Sequence, residues 1–208
     1  KRGNLNVTGT LVARAGSIDA DCMELNSYEK MYDTFLQQAN EGIEELVLYV
    51  DSGGGEARTC FEMATEVKKL AVEKDIKIYA YVDGLSASAA YAWTSIADEI
   101  VARPDSEVGS VGVVVQLINN SKMLENIGIT RQFVCHGEQK VPFAENGEFS
   151  PQFISSIQKK VDKTGKEFSN FIAANRNLSV QSVLNTQAEV FDSEEALAVG
   201  FIDKIMTK

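Results

Sequence analysis

The sequence predicts an α/β domain in which βαβ units build a mostly parallel sheet. Apolar runs of strand length alternate with segments whose apolar residues recur at helical spacing, which is typical of this class. The 208 residues, 44% of them hydrophobic and 24% charged, suffice for one domain with a substantial core. No internal repeat, low-complexity tract or long linker divides the chain, and we expect a single domain over residues 1–208.

The first half of the chain alternates strand and helix. The five predicted elements are a strand at 5–12, a helix at 27–42, a strand at 44–52, a helix at 56–74 and a strand at 76–82. Ser27 is a suitable N-cap for the first helix, and Gly42 follows the end of that helix. The nearly continuous apolar run at 47–50 indicates a buried strand.

The second half continues the alternation and adds a long helix. The predicted elements are a helix at 84–97, a strand at 99–103, a helix at 120–128, a strand at 129–135, a helix at about 151–175, and a strand, helix and strand at 190–205. Pro151 suits the first turn of the long helix after Ser150. This helix either packs on the domain or extends to a neighbouring subunit, where it would mediate oligomerisation.

Charge and composition exclude several kinds of partner. The net charge of −10 argues against a nucleic-acid surface, which needs a clustered basic face. No stretch approaches the ~20 apolar residues that span a bilayer. The N-terminal segment is basic, has no apolar core of a signal peptide and does not begin with Met. We expect a cytoplasmic piece of a longer chain; a membrane anchor upstream of Lys1 is the alternative. The three cysteines, none in a C-x-x-C pair, are expected to be small buried residues in a reducing compartment.

A glycine-rich segment, "VDSGGGEA", joins the predicted strand at 44–52 to the next helix. Gly53, Gly54 and Gly55 free backbone N–H groups to point outward at a helix start, which suits a phosphate or a transient oxyanion. A flexible turn without a ligand is the alternative. The dinucleotide-binding pattern G-x-G-x-x-G fails at Arg58, and the P-loop pattern lacks its Gly-Lys-Ser/Thr. We expect neither a cofactor nor a metal.

The segment "GLSASAAYAW" places two serines where a strand passes into a helix. A serine at such a junction exposes its hydroxyl, and the N–H of the next residue can stabilise a tetrahedral oxyanion. The nucleophile pattern G-x-S-x-G is not met, so a small-residue helix with incidental Ser86 and Ser88 is the alternative.

A serine nucleophile also needs a base. The candidates are His136, the one histidine, and Lys140, because a lysine can act where burial disfavours its charged form and residues 141–143 are apolar.

Five motifs in order resemble the signal peptide peptidase A family of serine-lysine peptidases, especially the branch that tailed phages use in head assembly. They are "DSGGGE", "ASAAYAW", "VGSVGV", "HGEQK" and "EEALAVGFID", and the resemblance covers about residues 7–205. The second motif selects Ser88 over Ser86 as the nucleophile. In two departures, Gly53 replaces the family's proline, which loosens residues Gly53–Gly55 (the glycine loop), and His136 replaces a serine, which alters the approach of the lysine.

The resemblance implies a ClpP/crotonase-like fold of stacked βαβ units and peptide hydrolysis through an acyl-enzyme. Ser88 would be the nucleophile, Lys140 its base, and Ser110 a hydroxyl that holds the lysine amine in place. The related ClpP peptidases use a histidine soon after the serine. No histidine lies in residues 108–115, so the resemblance favours a Ser-Lys dyad over a Ser-His-Asp triad.

The same resemblance implies an oxyanion hole and an assembly. The hole would consist of the N–H of Ala89 and the N–H of either Gly54 or Gly55. The substrate would be a polypeptide, in phage head maturation or in signal-peptide degradation. Members of the family form rings, so we expect a homo-oligomeric ring with active sites near the subunit interfaces.

Two other functions are compatible with this fold. A crotonase-type enzyme would bind acyl-CoA and stabilise an enolate, but no cluster of basic residues lies near "VDSGGGEA" or "GLSASAAYAW" in the sequence. A scaffold protein could retain the fold without activity. The presence of Ser88, Ser110 and Lys140 together argues against that second alternative.

Overall fold

The computed structural model describes residues 1–144 and 147–206, and an eight-stranded sheet forms its centre. The strands are β1 (Arg2–Val12), β2 (Asn26–Ser27), β3 (Glu45–Gly55), β4 (Lys77–Ala87), β5 (Glu99–Ala102), β6 (Glu107–Gly109), β7 (Val190–Asp192) and β8 (Lys204–Ile205). Their spatial order is β2-β1-β3-β4-β5-β8, and every pair along this path is parallel. β6 pairs in parallel with the end of β4, and β7 pairs antiparallel with β6. The predicted, mostly parallel sheet is confirmed.

Helices connect these strands. They are α1 (Tyr28–Asn40), α2 (Cys60–Glu73), α3 (Ala89–Thr94), α4 (Ser121–Asn126), α5 (Pro151–Arg176), α6 (Val180–Asn185) and α7 (Ser193–Ala198), with a short 3-10 helix at Glu138–Lys140. α1 contacts β1 and α2, α2 contacts β4 and α3, and α3 contacts the three long strands β1, β3 and β4. The predicted long helix is confirmed as α5.

The sequence pattern of α1 explains its position. The residues of one helical face are Tyr28, Met31, Phe35 and Ala39, and all four are buried in the core. The Ser27 hydroxyl accepts a hydrogen bond from the Lys30 N–H at 3.2 Å and so caps the helix as predicted.

The chain divides into two compact units. The first unit comprises residues 1–112 and the chain from 166 onward, and the second comprises residues 113–165. The sheet and its core belong to the first unit, where aromatic pairs such as Tyr28–Trp93 and Tyr91–Phe201 stack. The second unit contains α4, the 3-10 helix and the first part of α5.

Two differences from the predicted elements concern the lengths and positions of strands. β3 and β4 run on to Gly55 and Ala87, so the glycine-rich segment and the start of the serine segment belong to the sheet itself. The strand predicted at 129–135 is wrong, because this segment has no regular structure. Its apolar residues Phe133 and Val134 are exposed, and in the described part of the chain no neighbouring strand pairs with it.

The cysteines do not behave alike. Cys60 is buried as predicted, and burial raises the pKa of its thiol to about 12. The prediction is wrong for Cys22 and Cys135, which are exposed because they lie in irregular segments outside the core. All three are free thiols.

No helix within residues 1–144 and 147–206 is both long and apolar enough to cross a membrane.

Candidate active site

Ser88 lies at the junction between β4 and α3. It is the residue that precedes the helix, and it adopts φ 54° and ψ −126°. Such a conformation costs a non-glycine residue about 1–3 kcal/mol and persists only where its surroundings impose it. The Ser88 N–H donates to the Gly109 carbonyl at 2.9 Å, whereas the side chain makes no capping hydrogen bond. The half-buried hydroxyl is therefore not used to cap the helix it precedes.

Ser86 has a different environment. It is fully buried, and its hydroxyl lies 2.8 Å from that of Thr94, which in turn donates to the Ala90 carbonyl at 2.9 Å. These hydroxyls connect β4 to α3 inside the core. The geometry thus favours Ser88 over Ser86 as the reactive serine.

Gly54 lies directly against this junction. A Cβ atom on Gly54 would lie 2.7 Å from the Ala87 carbonyl oxygen, 2.8 Å from Ser88 Cβ and 2.9 Å from the Ala89 nitrogen. Its φ of +95° also belongs to the region that favours glycine. Both the close approach and the backbone conformation require glycine at this position. Because Gly54 has no side chain, the glycine loop can lie directly against the start of α3.

The Gly54→Ala variant is expected to lower the free energy of unfolding by about 3 kcal/mol, because the new methyl group meets backbone atoms and the left-handed conformation disfavours alanine. Chemical denaturation measures this loss. The matched control is Gly53→Ala, whose Cβ would find only Leu85 Cδ2 at 3.7 Å and should change the stability by less than about 1 kcal/mol. Equal losses in the two variants would contradict the close approach.

The amides of the glycine loop differ in their partners. The Gly54 N–H donates to the Ser52 hydroxyl at 3.0 Å. Gly55 pairs with Leu11 of β1, and the Leu11 carbonyl accepts from the Glu56 N–H at 2.9 Å. In a parallel ladder, a residue of one strand forms hydrogen bonds with the residues before and after its partner, and the partner's own N–H points to the other side. Leu11 bonds in this way to Glu56, so the N–H of its partner Gly55 is directed away from β1.

Ser110 follows β6 as Ser88 follows β4. Ala87 and Gly109 are paired in the register of the two strands, so the two serines leave neighbouring strands at the same level. Ser110 also has a positive φ, 56°, and its N–H donates to the Glu189 carbonyl at 2.8 Å. The first unit thus brings Ser88, Ser110, Ala89 and the glycine loop together at the carboxyl end of parallel strands, where α/β proteins commonly bind ligands.

Lys140 and His136 belong to the second unit. Lys140 is the last residue of the 3-10 helix and is exposed, as is His136. Val141 and Phe143 are only half-buried, so the apolar residues after Lys140 do not bury it within the single chain. The pairing of Lys140 with Ser88 stays a prediction.

The chain is similar to several known proteins. The chain matches Peptidase family S49 over residues 70–208. A protein of Methanocaldococcus jannaschii is 30% identical over 172 residues, which are 82% of this chain and 55% of that protein. Capsid assembly protease C of Escherichia phage lambda is 26% identical over 204 residues, 97% of this chain and 46% of that relative. The chain thus spans about half the length of the curated relatives that it matches.

A solved structure, a ClpP1 variant from Listeria monocytogenes, shares the fold. It matches with a TM-score of 0.59 over 99% of this chain and 91% of its own, at 12% sequence identity. This likeness confirms the predicted ClpP-like fold and, at such low identity, shows the fold alone.

Proposed function

The chain belongs to peptidase family S49, and from this premise we propose that it is a serine endopeptidase that works through an acyl-enzyme on Ser88. One observation carries the assignment of the nucleophile. Ser88 is held in a strained conformation at a strand-to-helix junction, with its N–H tied to Gly109 and its hydroxyl left out of the helix cap. Strain of this kind concentrates at functional sites.

In the proposed reaction the Ser88 hydroxyl attacks the scissile carbonyl, and its proton passes to the neutral amine of Lys140. The tetrahedral intermediate collapses with cleavage of the peptide C–N bond, and Lys140 returns the proton to the leaving amine. A water molecule then attacks the acyl-enzyme, giving up its proton to Lys140 in the same way. The product acid leaves as Ser88 regains its proton.

The oxyanion of the tetrahedral intermediate needs two N–H donors. We propose Ala89 for the first, because the opening N–H groups of a helix have no partner within it. The second donor is Gly55 rather than Gly54. The hydrogen bond of Gly54 to Ser52 and the orientation of the Gly55 N–H away from β1 support this choice.

For the biological role we propose cleavage of a polypeptide during phage head assembly, by a homo-oligomer. This role is supported by similarity over 97% of the chain to the lambda capsid assembly protease and to head-tail preconnector protein GP5 of Enterobacteria phage P21. GP5 is 25% identical over 203 residues, and the match covers 40% of its length. Signal-peptide degradation is the alternative for a chain of this family.

A fluorophosphonate probe tests the enzymatic function directly. The probe forms a covalent bond with an activated serine hydroxyl and does not react with an ordinary one. We expect stoichiometric labelling of the native chain, with the adduct mapped by mass spectrometry to the peptide that contains Ser88. An unlabelled native chain would favour the inactive scaffold, and an adduct on another serine would contradict the assignment.

Ser110 is proposed to hold the Lys140 amine, so Ser110→Ala should impair catalysis without abolishing it. We expect kcat/KM to fall by about tenfold to a hundredfold, less than the loss of a bond-making group, since an orienting hydroxyl does not itself move the proton. The matched control is Ser106→Ala, at the opposite end of β6, whose buried hydroxyl donates to the Val82 carbonyl. A Ser110→Ala enzyme with unchanged kcat/KM would remove this residue from the site.

A further inference from the structure

Ser52 is a buried polar residue at the point where the pairing of β1 and β3 is interrupted. Thr8 pairs with Asp51 and Thr10 pairs with Gly54, so β3 has two residues opposite the single Gly9 of β1. A bulge of this kind separates backbone groups that a regular ladder would join. Only 3% of Ser52 is exposed, so the separated groups need a partner inside the protein.

The Ser52 hydroxyl bridges this gap. It donates to the Gly9 carbonyl at 2.5 Å and accepts from the Gly54 N–H at 3.0 Å. Both functions of one hydroxyl are thereby used, and the peptide that enters Gly54 is fixed in orientation. The same Gly54 lies against Ser88 and the Ala89 nitrogen, so the bridge connects β1 to the proposed oxyanion hole.

We propose that Ser52 is a positioning residue of the active site. Its hydroxyl holds the Gly54 peptide so that the next amide, that of Gly55, is directed at the oxyanion. Ser52 does not touch the substrate, and it acts only through the glycine loop. This inference rests on the proposed peptidase function. Loss of the Ser52 hydroxyl should weaken binding of the transition state more than binding of the substrate.

The test compares Ser52→Ala with Ser86→Ala in the full chain. Ser86 is the matched control, because it pairs with Ser52 in the register of β3 and β4, is equally buried, and uses its hydroxyl on Thr94 instead of the glycine loop. For Ser52→Ala we expect kcat to fall by about tenfold to a hundredfold, short of the loss of a whole oxyanion donor, with KM unchanged within about twofold. For Ser86→Ala we expect kcat within about threefold of the native value.

Two further measurements separate positioning from general destabilisation. A peptide boronate, which forms a tetrahedral adduct on the serine, should lose affinity for Ser52→Ala in proportion to kcat, whereas an uncleavable substrate peptide should bind as before. Ser52→Thr keeps the hydroxyl and should recover most of the boronate affinity. Native kcat in Ser52→Ala, or an equal loss in Ser86→Ala, would overturn the role of Ser52. Absence of peptide cleavage by the native chain would instead overturn the proposed peptidase function, and full cleavage by Ser88→Ala would overturn the choice of nucleophile, so these failures are distinguishable from a failure of the role of Ser52.

Discussion

The Ser88→Ala variant is expected to lose peptidase activity, with kcat/KM lower by about 10⁴-fold or more. Without the hydroxyl no acyl-enzyme forms, and the remaining oxyanion donors can assist only a slow direct attack by water. The fold should be retained, because the change removes one oxygen from a half-buried side chain that does not cap its helix. A fluorogenic peptide assay measures the loss, and thermal unfolding checks the fold.

Ser86→Ala is the control for this result. The variant removes a hydroxyl two residues earlier in the chain, from the end of β4, where Ser86 contacts Thr94. We expect a modest loss of stability, about 1–2 kcal/mol, because a buried hydrogen bond is lost, and most of the activity should remain. If Ser86→Ala were inactive and Ser88→Ala active, the alignment of the serine motif would be wrong by two residues.

Much of the fold could be predicted because local patterns and core packing agree. In α1 the apolar spacing, the Ser27 cap and the buried face all indicate the same helix. The segment 129–135 shows the limit of such reasoning. Its apolar residues resemble those of a strand, but a strand forms only beside a partner strand. Partner strands are often distant in the sequence, so a local sequence pattern cannot predict whether they will pair.

The candidate site could be predicted in part for the same reason. The sequence alone shows the glycine-rich and small-residue segments, and the structure brings Gly54 of the first against Ser88 of the second at the ends of the neighbouring strands β3 and β4. The role of Ser52 was not evident. This role depends on Gly9, which lies 43 residues earlier in the chain. It also depends on the bulge between β1 and β3, which no sequence pattern predicts. A serine within an otherwise buried strand was the only available signal.

Lys140→Ala is expected to be as damaging as Ser88→Ala, because the nucleophile and its base act as one unit and their losses are not additive. Lys122→Ala is the matched control, since Lys122 is another exposed lysine of the second unit and should retain native activity. His136→Ala should also remain active. Complete loss in His136→Ala, with activity kept in Lys140→Ala, would identify the histidine as the base.

Lys140 is exposed in the single chain, and this exposure bears on how the chain assembles with its copies. α5 has 26 residues, about 39 Å at 1.5 Å per residue. Its buried residues Phe168, Ser169, Ile172 and Ala173 all lie in the first unit, and none of residues 151–165 is buried. We therefore propose that the second unit meets a neighbouring copy and presents Lys140 to the Ser88 of that copy.

Mixing inactive Ser88→Ala and Lys140→Ala chains tests this arrangement. In a random one-to-one mixture about a quarter of the interfaces in a symmetric ring would combine an intact serine with an intact lysine. The mixture should therefore recover about a quarter of the native activity, whereas each variant alone stays inactive. Because subunits must exchange, the chains are mixed before refolding, and native mass spectrometry verifies that mixed oligomers form. Mixed oligomers that remain inactive would instead place Ser88 and Lys140 of each site within one chain.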